Sequence, residues 1–376
     1  MEEDESGGST DMRRIAVKAM WIRKTAWTAC AAAAVALCAW CMVDNLLPAV
    51  RENGGAWALR AAGLTVAPEA EAEASPQPDG GGALAETPET EADGILSPWA
   101  EPEPEVAPTP DPERETAPVA STWMGGGETV DGFSVKDTSE SGVDLYEELQ
   151  IDPDVHVKRD GSPVVLLYST HASESFLLSD TDWYYTDDDF RSTGPDESIL
   201  SVAAEAAAVI EAGGFGVIHD TTLHDYPAYS GSYDRSMETI RKNLEAYPTI
   251  QITVDVHRDA FGEDEDGTRY KPVAEVNGKD AAQIMILTGC DLSEDPLFPD
   301  WRENLHFALR LQQKGEALFP GLYRPLFFSQ RNYNMHATHA SVLVEVGTEV
   351  NTLSEAQYSG RLLGETILAV LNDLAE

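Results

Sequence analysis

Short apolar runs alternate with segments of helical spacing along the C-terminal part of the chain, from about residue 140 to residue 376. Residues 163–170, 215–219 and 249–256 are apolar enough for buried strands. This alternation predicts an α/β domain with a twisted, largely parallel central sheet flanked by helices. In such sheets, ligands bind beyond the carboxyl ends of the strands. The polar residues that follow the strands are therefore the candidate site.

The remaining elements are predicted from periodicity and turn signals. Asn277-Gly278 is the strongest short-range signal for a hairpin. The predicted elements are helices at 197–211, 236–247 and 299–317, hairpin strands at 272–276 and 281–288, strands at 326–329 and 341–346, and a final helix from Leu353.

Residues 25–43 carry no charge for 19 positions, which is close to the ~20 residues of a transmembrane helix. Trp27 and Trp40 lie near its ends, where indole rings favour the membrane interface. The five basic residues before it predict a cytoplasmic tail at 1–24 and an extracytoplasmic remainder. The alternative is a cleaved signal peptide, for which the apolar stretch would be unusually long.

Residues 44–139 are predicted to form an extracytoplasmic linker, and residues 140–376 the catalytic domain. From about residue 63 to 127 the composition is dominated by Pro, Glu, Ala and Gly. Such a segment buries too little apolar surface to offset the entropy of ordering, so we expect it to be disordered. Proline and like charges extend it, which suits a spacer between a membrane and a domain.

The charge and cysteine content exclude several function classes. The chain has 25 Lys and Arg against 66 Asp and Glu, a formal net charge of −41, which disfavours nucleic acid as a partner. Three of the four cysteines lie in the apolar segment, so Cys290 is alone in the rest of the chain, with no assignable role. A metal in the folded domain must be bound by histidine and carboxylate.

Three predicted strands end in residues that can perform chemistry. His171 and Glu174 follow the first strand, three residues apart, so one helical turn points both at one spot. His257 ends the strand at 249–256, and two histidines with one glutamate are a zinc-ligand set that leaves a position for water. Glu345 has apolar neighbours, and partial burial would raise its pKa and suit it to general-base work.

Each of these residues also has a purely structural explanation, and other residues compete for the third ligand position. His257 can be a hydrogen-bonded histidine at a strand edge, and Arg258 can bind a substrate carboxylate or an oxyanion, or pair with a neighbouring aspartate. The competitors for the third ligand position are Glu197, His219 and His224.

Residues 223–236 form a polar, aromatic segment that is either a substrate groove or a packed turn. Its tyrosines and arginine can stack on and hydrogen-bond to sugar or peptide. The candidate substrate-binding residues are His224, Tyr226, Tyr229, Tyr233 and Arg235. No serine-hydrolase, P-loop or dinucleotide motif is present in the sequence.

Four stretches in this order make the chain resemble the stage II sporulation protein P family, across roughly residues 140–376. They are residues 166–176, which include His171 and Glu174, 219–236, 254–260, which include His257, and 343–352, which include Glu345 and Asn351. One departure is that the family often reads His-Thr-His where this chain has Ser169-Thr170-His171.

The resemblance implies a membrane-anchored peptidoglycan hydrolase with an amidase-3-like or zinc-carboxypeptidase-like fold. It implies cleavage of the N-acetylmuramoyl-L-alanine amide, and also of stem-peptide cross-links, during septal thinning and engulfment. By position it implies Zn²⁺ on His171 and His257, with Glu174 as the acidic residue of the first motif and Glu345 as the catalytic glutamate. Asn351 is a further candidate for substrate binding.

The implied partners are stage II sporulation proteins D and M, and the implied location is the septal space of a sporulating bacterium. Two alternatives remain open at this point. One is a zinc carboxypeptidase or endopeptidase acting on cell-wall peptides. The other is a non-catalytic anchored scaffold that binds peptidoglycan, which the missing histidine of the first motif favours.

Overall fold

The computed structural model describes Trp99 and residues 108–375, and these residues form an α/β domain. Its helices are α1 (Leu145–Leu149), α2 (Ile199–Ala212), α3 (Ser232–Ala246), α4 (Trp301–Leu318) and α5 (Leu353–Leu374). Its strands are β1 (Thr116–Thr122), β2 (Glu128–Val130), β3 (Phe133–Thr138), β4 (Pro163–Tyr168), β5 (Trp183–Tyr185), β6 (Gly216–His219), β7 (Ile252–Asp259), β8 (Arg269–Val276), β9 (Lys279–Ala282), β10 (Ile284–Gly289), β11 (Leu326–Ser329) and β12 (Ala340–Thr348).

The main sheet has eight strands in the order β2-β3-β11-β10-β12-β7-β4-β6. Five of its seven neighbouring pairs are parallel. The pairs β2–β3 and β10–β12 are antiparallel, so the sheet is mixed, with parallel pairs in the majority as expected for a largely parallel sheet. Strand β10 runs antiparallel to β12. After β7 the chain forms the hairpin strands β8 and β9, and it then re-enters the main sheet as β10 in the opposite direction. Strands β12, β7, β4 and β6 remain parallel, so their carboxyl ends meet at one edge.

Helices cover both faces of this parallel part because its strands are apolar on both faces. Val165 and Leu167 of β4 belong to the main core, which also includes residues of α2 and α5. Leu166 and Tyr168 face the other way and pack with Met237 of α3.

Helices α2 and α5 approach each other closely because α5 carries glycine at the contact. A Cβ atom at Gly360 would lie 2.2 Å from the carbonyl oxygen of Val202. At Gly364 a Cβ would lie 2.7 Å from the carbonyl oxygen of Ala206. Larger side chains at either position would push the helices apart and open the core.

A second, four-stranded sheet has the order β5-β1-β8-β9. Strands β1, β2 and β3 lie between residues 116 and 138, so the folded domain begins before residue 140, where the sequence prediction placed its start. The composition gave no signal because β1 is Thr-Ala-Pro-Val-Ala-Ser-Thr, with few large apolar side chains. Strand β1 is instead held by backbone pairing with β5 on one side and β8 on the other.

The other predicted elements are present with shifted ends, except that the predicted strand 281–288 is divided between β9 of the four-stranded sheet and β10 of the main sheet. Helix α3 begins at Ser232 rather than at residue 236, and the final helix begins at Leu353 as predicted. None of the helices in the described part of the chain has the length and apolar character of a membrane span. The predicted transmembrane segment 25–43 lies outside the described residues, as does most of the predicted linker.

Candidate metal centre and its surroundings

Three strand ends bring the candidate residues together at the carboxyl edge of the parallel strands. His171 and Glu174 lie in the turn that follows β4, where the Glu174 N–H donates to the His171 carbonyl at 3.0 Å. His257 lies near the end of β7, which pairs with β4. Glu345 lies in β12, directly opposite His257 in the register of that parallel pair.

His171, Glu174 and His257 form a buried cluster with geometry suited to a metal ion. Glu174 Oε1 lies 3.6 Å from His171 Nδ1, and Glu174 Oε2 lies 3.5 Å from His257 Nδ1. The three candidate ligand atoms all lie within 4.8 Å of one another. Ligands of a tetrahedral zinc ion at ~2.0–2.1 Å are roughly 3.4 Å apart, so this donor set fits zinc. It corresponds to the His₂Glu set expected from the sequence.

Burial and mutual charge shift the pKa values within the cluster. Burial favours neutral Glu174, but hydrogen bonding and charge from His171 and His257 outweigh it and hold the pKa of Glu174 well below its usual range. Burial lowers the pKa of His171, against the opposing effect of Glu174. The shifts favour an ionised Glu174 and a neutral His171, and a metal ion bound at Nδ1 of His257 would replace a proton there.

Asp255 lies behind His257 and was not identified as a site residue from the sequence. Its Oδ1 atom is 2.9 Å from His257 Nε2. Burial lowers the pKa of His257, but Asp255 together with Glu174 outweighs burial and raises this pKa well above the usual value. The backbone N–H and hydroxyl of Thr170 donate to the two Asp255 oxygens at 2.7 and 2.6 Å. The charge of this carboxylate favours the ring orientation in which Nε2 faces Asp255 and Nδ1 faces Glu174. The sequence did contain a signal for Asp255. It lies two residues before His257 in a strand, and residues two apart point to the same face of the sheet.

Glu345 is suited to move protons. Burial, together with the nearby Asp259, raises the pKa of Glu345 to about 8. Its Oε2 atom is buried and has no hydrogen-bond partner among the residues that the structure describes. A carboxyl group with a pKa near neutrality and an oxygen that no other group occupies can accept and return a proton.

Arg258 is buried and its side chain is engaged by the protein itself. Its Nε donates to the Ser175 carbonyl at 2.8 Å and its Nη2 to the Phe190 carbonyl at 3.0 Å. Its backbone N–H donates to Glu174 Oε2 at 3.2 Å. These contacts suit a residue that positions Glu174, and a direct catalytic role for Arg258 stays a prediction.

The competitors for the third ligand position lie outside the cluster. His224 is buried and its ring nitrogens contact the Ser169 carbonyl and the Thr239 hydroxyl at 2.8 and 2.9 Å. Glu197 accepts from the Ser192 hydroxyl at 3.1 Å. The structure therefore brings Glu174, and not Glu197, His219 or His224, beside the two histidines.

Asn351 and His224 are buried within the protein, so neither offers the open polar edge expected of a substrate-binding residue. Asn351 is fully buried, accepts from the Thr348 N–H at 2.9 Å and donates to Glu355 at 2.8 Å. Asn351 closes the turn between β12 and α5. Gly347, near the end of β12, has a φ of 61°. A Cβ at Gly347 would lie 2.5 Å from Asn351 Oδ1.

The aromatic segment 223–236 is a packed turn that leads into the first turn of α3 and borders the cluster. Arg235 donates to the carbonyls of His224, Ala228 and Ser230, which fixes the backbone of this segment. Tyr229 stacks on His171 with ring centroids 4.6 Å apart, and Tyr233 meets His171 edge-on at 5.6 Å. Tyr226 is exposed. The segment is therefore a packed turn that presents tyrosines at the cluster, and its role as a substrate groove stays a prediction.

The comparisons with known proteins are reported as similarities. The family model described as "Stage II sporulation protein P" matches residues 119–368. A curated Bacillus subtilis (strain 168) protein, stage II sporulation protein P, is 26% identical over 206 residues, covering 52% of this chain and 47% of that protein. The chain thus spans about half the length of the curated relative it matches.

Solved structures resemble the fold at low sequence identity. The amidase AmiC2 of Nostoc punctiforme shares 10% identity with a TM-score of 0.31, covering 57% of this chain and 98% of that one. The CwlD amidase of Clostridioides difficile, solved in complex with the GerS lipoprotein, shares 11% with a TM-score of 0.34, covering 56% and 98%. A metallo-carboxypeptidase from Burkholderia cenocepacia shares 10% with a TM-score of 0.31, covering 70% and 66%. Since the family model matches well over half of the residues, the chain belongs to the stage II sporulation protein P family.

Proposed function

We propose that this chain is a zinc-dependent peptidoglycan hydrolase that cleaves the amide between N-acetylmuramic acid and L-alanine. The observation that carries the proposal is the buried set of His171, Glu174 and His257 with Glu345 opposite His257 in register. Membership of the family supports a role in sporulation. A hydrolytic zinc site needs three protein ligands, a position for water and a nearby base, and these residues supply all but the water.

The residues of the chain divide the work between binding and proton transfer. His171, Glu174 and His257 would hold the zinc ion, with Asp255 fixing the orientation of the His257 ring. When bound, zinc lowers the pKa of water to ~7 and polarises the scissile carbonyl. Glu345 accepts the proton of the attacking water at Oε2, which has no hydrogen-bond partner among the described residues, and passes it to the leaving amine.

The proposal includes where the enzyme acts. The apolar segment 25–43 would anchor the chain in the membrane, with the acidic segment after it as a spacer to the domain. The domain would then thin septal peptidoglycan outside the cytoplasm. Stage II sporulation proteins D and M are the proposed partners, through family membership alone.

The deciding experiment digests purified peptidoglycan with the full-length protein, before and after zinc removal by a chelator. Release of stem peptides that begin with free L-alanine, lost with the chelator and restored by zinc, would support the amidase. An inert, well-folded protein that contains no zinc even after supplementation would overturn it in favour of a non-catalytic scaffold.

A second candidate is a zinc carboxypeptidase or endopeptidase. The observation that favours it is the spacing of His171 and Glu174 on a single turn, a donor pattern equally suited to peptide hydrolysis. Product analysis separates the two activities. Single amino acids or cleaved cross-links would replace the intact stem peptides.

A further inference from the structure

Arg191 lies at the rim of the metal cluster in a fixed orientation. It forms an isolated antiparallel bridge with Glu174, and its Nη2 atom is 3.9 Å from Glu174 Oε1. Its Nη1 atom donates to Asp225 Oδ2 at 2.9 Å. Asp225 has a fully buried side chain and also accepts from the Ser173 hydroxyl at 2.7 Å. The guanidinium is therefore held by hydrogen bonding through Nη1, while Nη2 lies at ion-pair distance from Glu174.

The other side of this guanidinium is open. Nε and Nη2 make no hydrogen bond within residues 108–375, and the side chain is 30% exposed. These two nitrogens form the edge of arginine that presents parallel N–H groups to a carboxylate. An exposed, pre-oriented edge of this kind is suited to bidentate binding of a carboxylate ligand.

Tyr229 connects this edge to the reacting centre. The Arg191 guanidinium lies 5.4 Å from the Tyr229 ring centroid. The same ring stacks on His171, with the two ring centroids 4.6 Å apart. Tyr229 is 39% exposed, so a ligand at the cluster meets this ring and the arginine together.

The other two arginines near the cluster are less accessible. Arg258 is buried against backbone carbonyls and Glu349, and Arg324 is buried and paired with Asp259 at 2.9 Å. The carboxylates of Glu174 and Glu345 repel an anionic group. Arg191 is therefore the position at which this site accepts one.

We propose that Arg191 binds a carboxylate of the substrate's peptide close to the scissile amide, which makes the enzyme selective for substrates in which that carboxylate is free. The inference rests on the proposed function and adds a substrate class to it. It requires no movement of Asp225 or Glu174.

The test compares two muramoyl peptides that differ only in this group, a free carboxylate or a carboxamide. We expect the full-length wild-type protein to prefer the carboxylate by roughly 10–100-fold in kcat/KM, chiefly through KM, as the loss of a charge-assisted pair predicts. Arg191→Ala should lose this preference, so that its kcat/KM values for the two peptides become nearly equal. Arg191→Lys, which keeps the charge without the fork, should lose part of the preference.

Arg310→Ala is the matched control. Arg310 lies on α4, its side chain is 28% exposed, and it pairs with Asp152 at 3.1 Å. It should leave the preference intact. An equal loss of activity on both substrates in Arg191→Ala, or no preference in the wild type, would overturn the proposal.

Calorimetric binding of the two peptides to Glu345→Gln tests the inference independently of turnover. Tighter binding of the carboxylate form that disappears in the double variant with Arg191→Ala would support it, even if the wild type hydrolyses neither peptide and the proposed function fails. Equal binding of the two peptides to Glu345→Gln would overturn the proposal. This outcome does not depend on whether Arg191→Ala folds or keeps its zinc.

Discussion

Glu345 of β12 faces His257 of β7 across a parallel strand pair, so the proposed base and a proposed metal ligand are held by backbone pairing. The register of two buried strands sets their relation, rather than a flexible loop. A one-residue slip would turn Glu345 to the opposite face of the sheet. The sheet thereby pre-organises the two groups before substrate binds.

Glu345→Gln should retain zinc and fold but lose turnover by about 10²–10⁴-fold, the usual contribution of a positioned general base. The amide fills the same space and cannot accept the proton. Muropeptide digestion alongside zinc analysis checks this expectation. Glu197→Gln serves as the control, because Glu197 lies outside the cluster. Near-normal turnover in Glu345→Gln would remove Glu345 from the catalytic role.

His171→Ala and His257→Ala should each lose bound zinc, because either change leaves only two protein ligands. Elemental analysis of the purified full-length proteins measures the zinc bound per chain. His336→Ala is a suitable control, since His336 contacts Asn332 at 2.7 Å and lies outside the cluster. Full zinc occupancy in either cluster variant would refute the ligand set.

Asp255→Asn should weaken zinc binding by roughly 10–100-fold, the usual effect of losing an outer carboxylate that orients a ligating histidine. The amide can still accept from the Thr170 N–H, so the fold should persist. Competition with a chelator of known affinity measures the change. Thr170→Ser retains the hydroxyl that holds Asp255 and should bind zinc as the wild type does. Unchanged affinity in Asp255→Asn would mean that Asp255 only fills space behind the ring.

The strand-end residues were predictable from the sequence, because apolar runs such as β4 and β12 are buried and polar residues directly after or within them are conspicuous. The expectation that Glu174 joins His171 and His257 followed from three-residue spacing and from the geometry of parallel strands. Both depend on local sequence and on one general rule of sheet architecture.

Residues whose role arises from packing were not predictable in this way. Arg191 follows a run of aspartates that reads as an ordinary solvated segment, and only the fold brings it to Glu174 and Asp225. Asn351 was expected near substrate because it lies in a motif beside Glu345, but the structure buries it in a turn. Motif membership indicates proximity in sequence and does not distinguish a contact with substrate from support of the backbone.

Asn351→Ala should destabilise the fold by about 1–3 kcal/mol, because it leaves the buried Thr348 N–H without its acceptor and removes one of the donors to the Glu355 carboxylate. Urea unfolding measures the loss. At a temperature where the variant is folded, its KM should equal that of the wild type. A raised KM with unchanged stability would instead favour the substrate-binding role expected from the sequence.

The stability of the metal-free protein should fall with rising pH because of Glu345. A glutamate in an unfolded chain titrates near ~4.3, whereas burial raises the pKa of Glu345 to about 8 in the folded protein. The folded state therefore binds this proton more tightly, and the resulting stabilisation is complete below pH ~4 and is lost as the pH rises towards 8. Glu345→Gln is neutral throughout and has no such loss.

The unfolding free energy of metal-free Glu345→Gln should therefore gain on that of the wild type between pH 5 and 8, by on the order of a few kcal/mol. Urea unfolding at several pH values measures the difference. The exposed Glu294→Gln controls for removal of one negative charge. A difference between Glu345→Gln and wild type that stays constant from pH 5 to 8 would show that Glu345 is already ionised in the folded protein at pH 5, and would contradict its assignment as a base with a raised pKa.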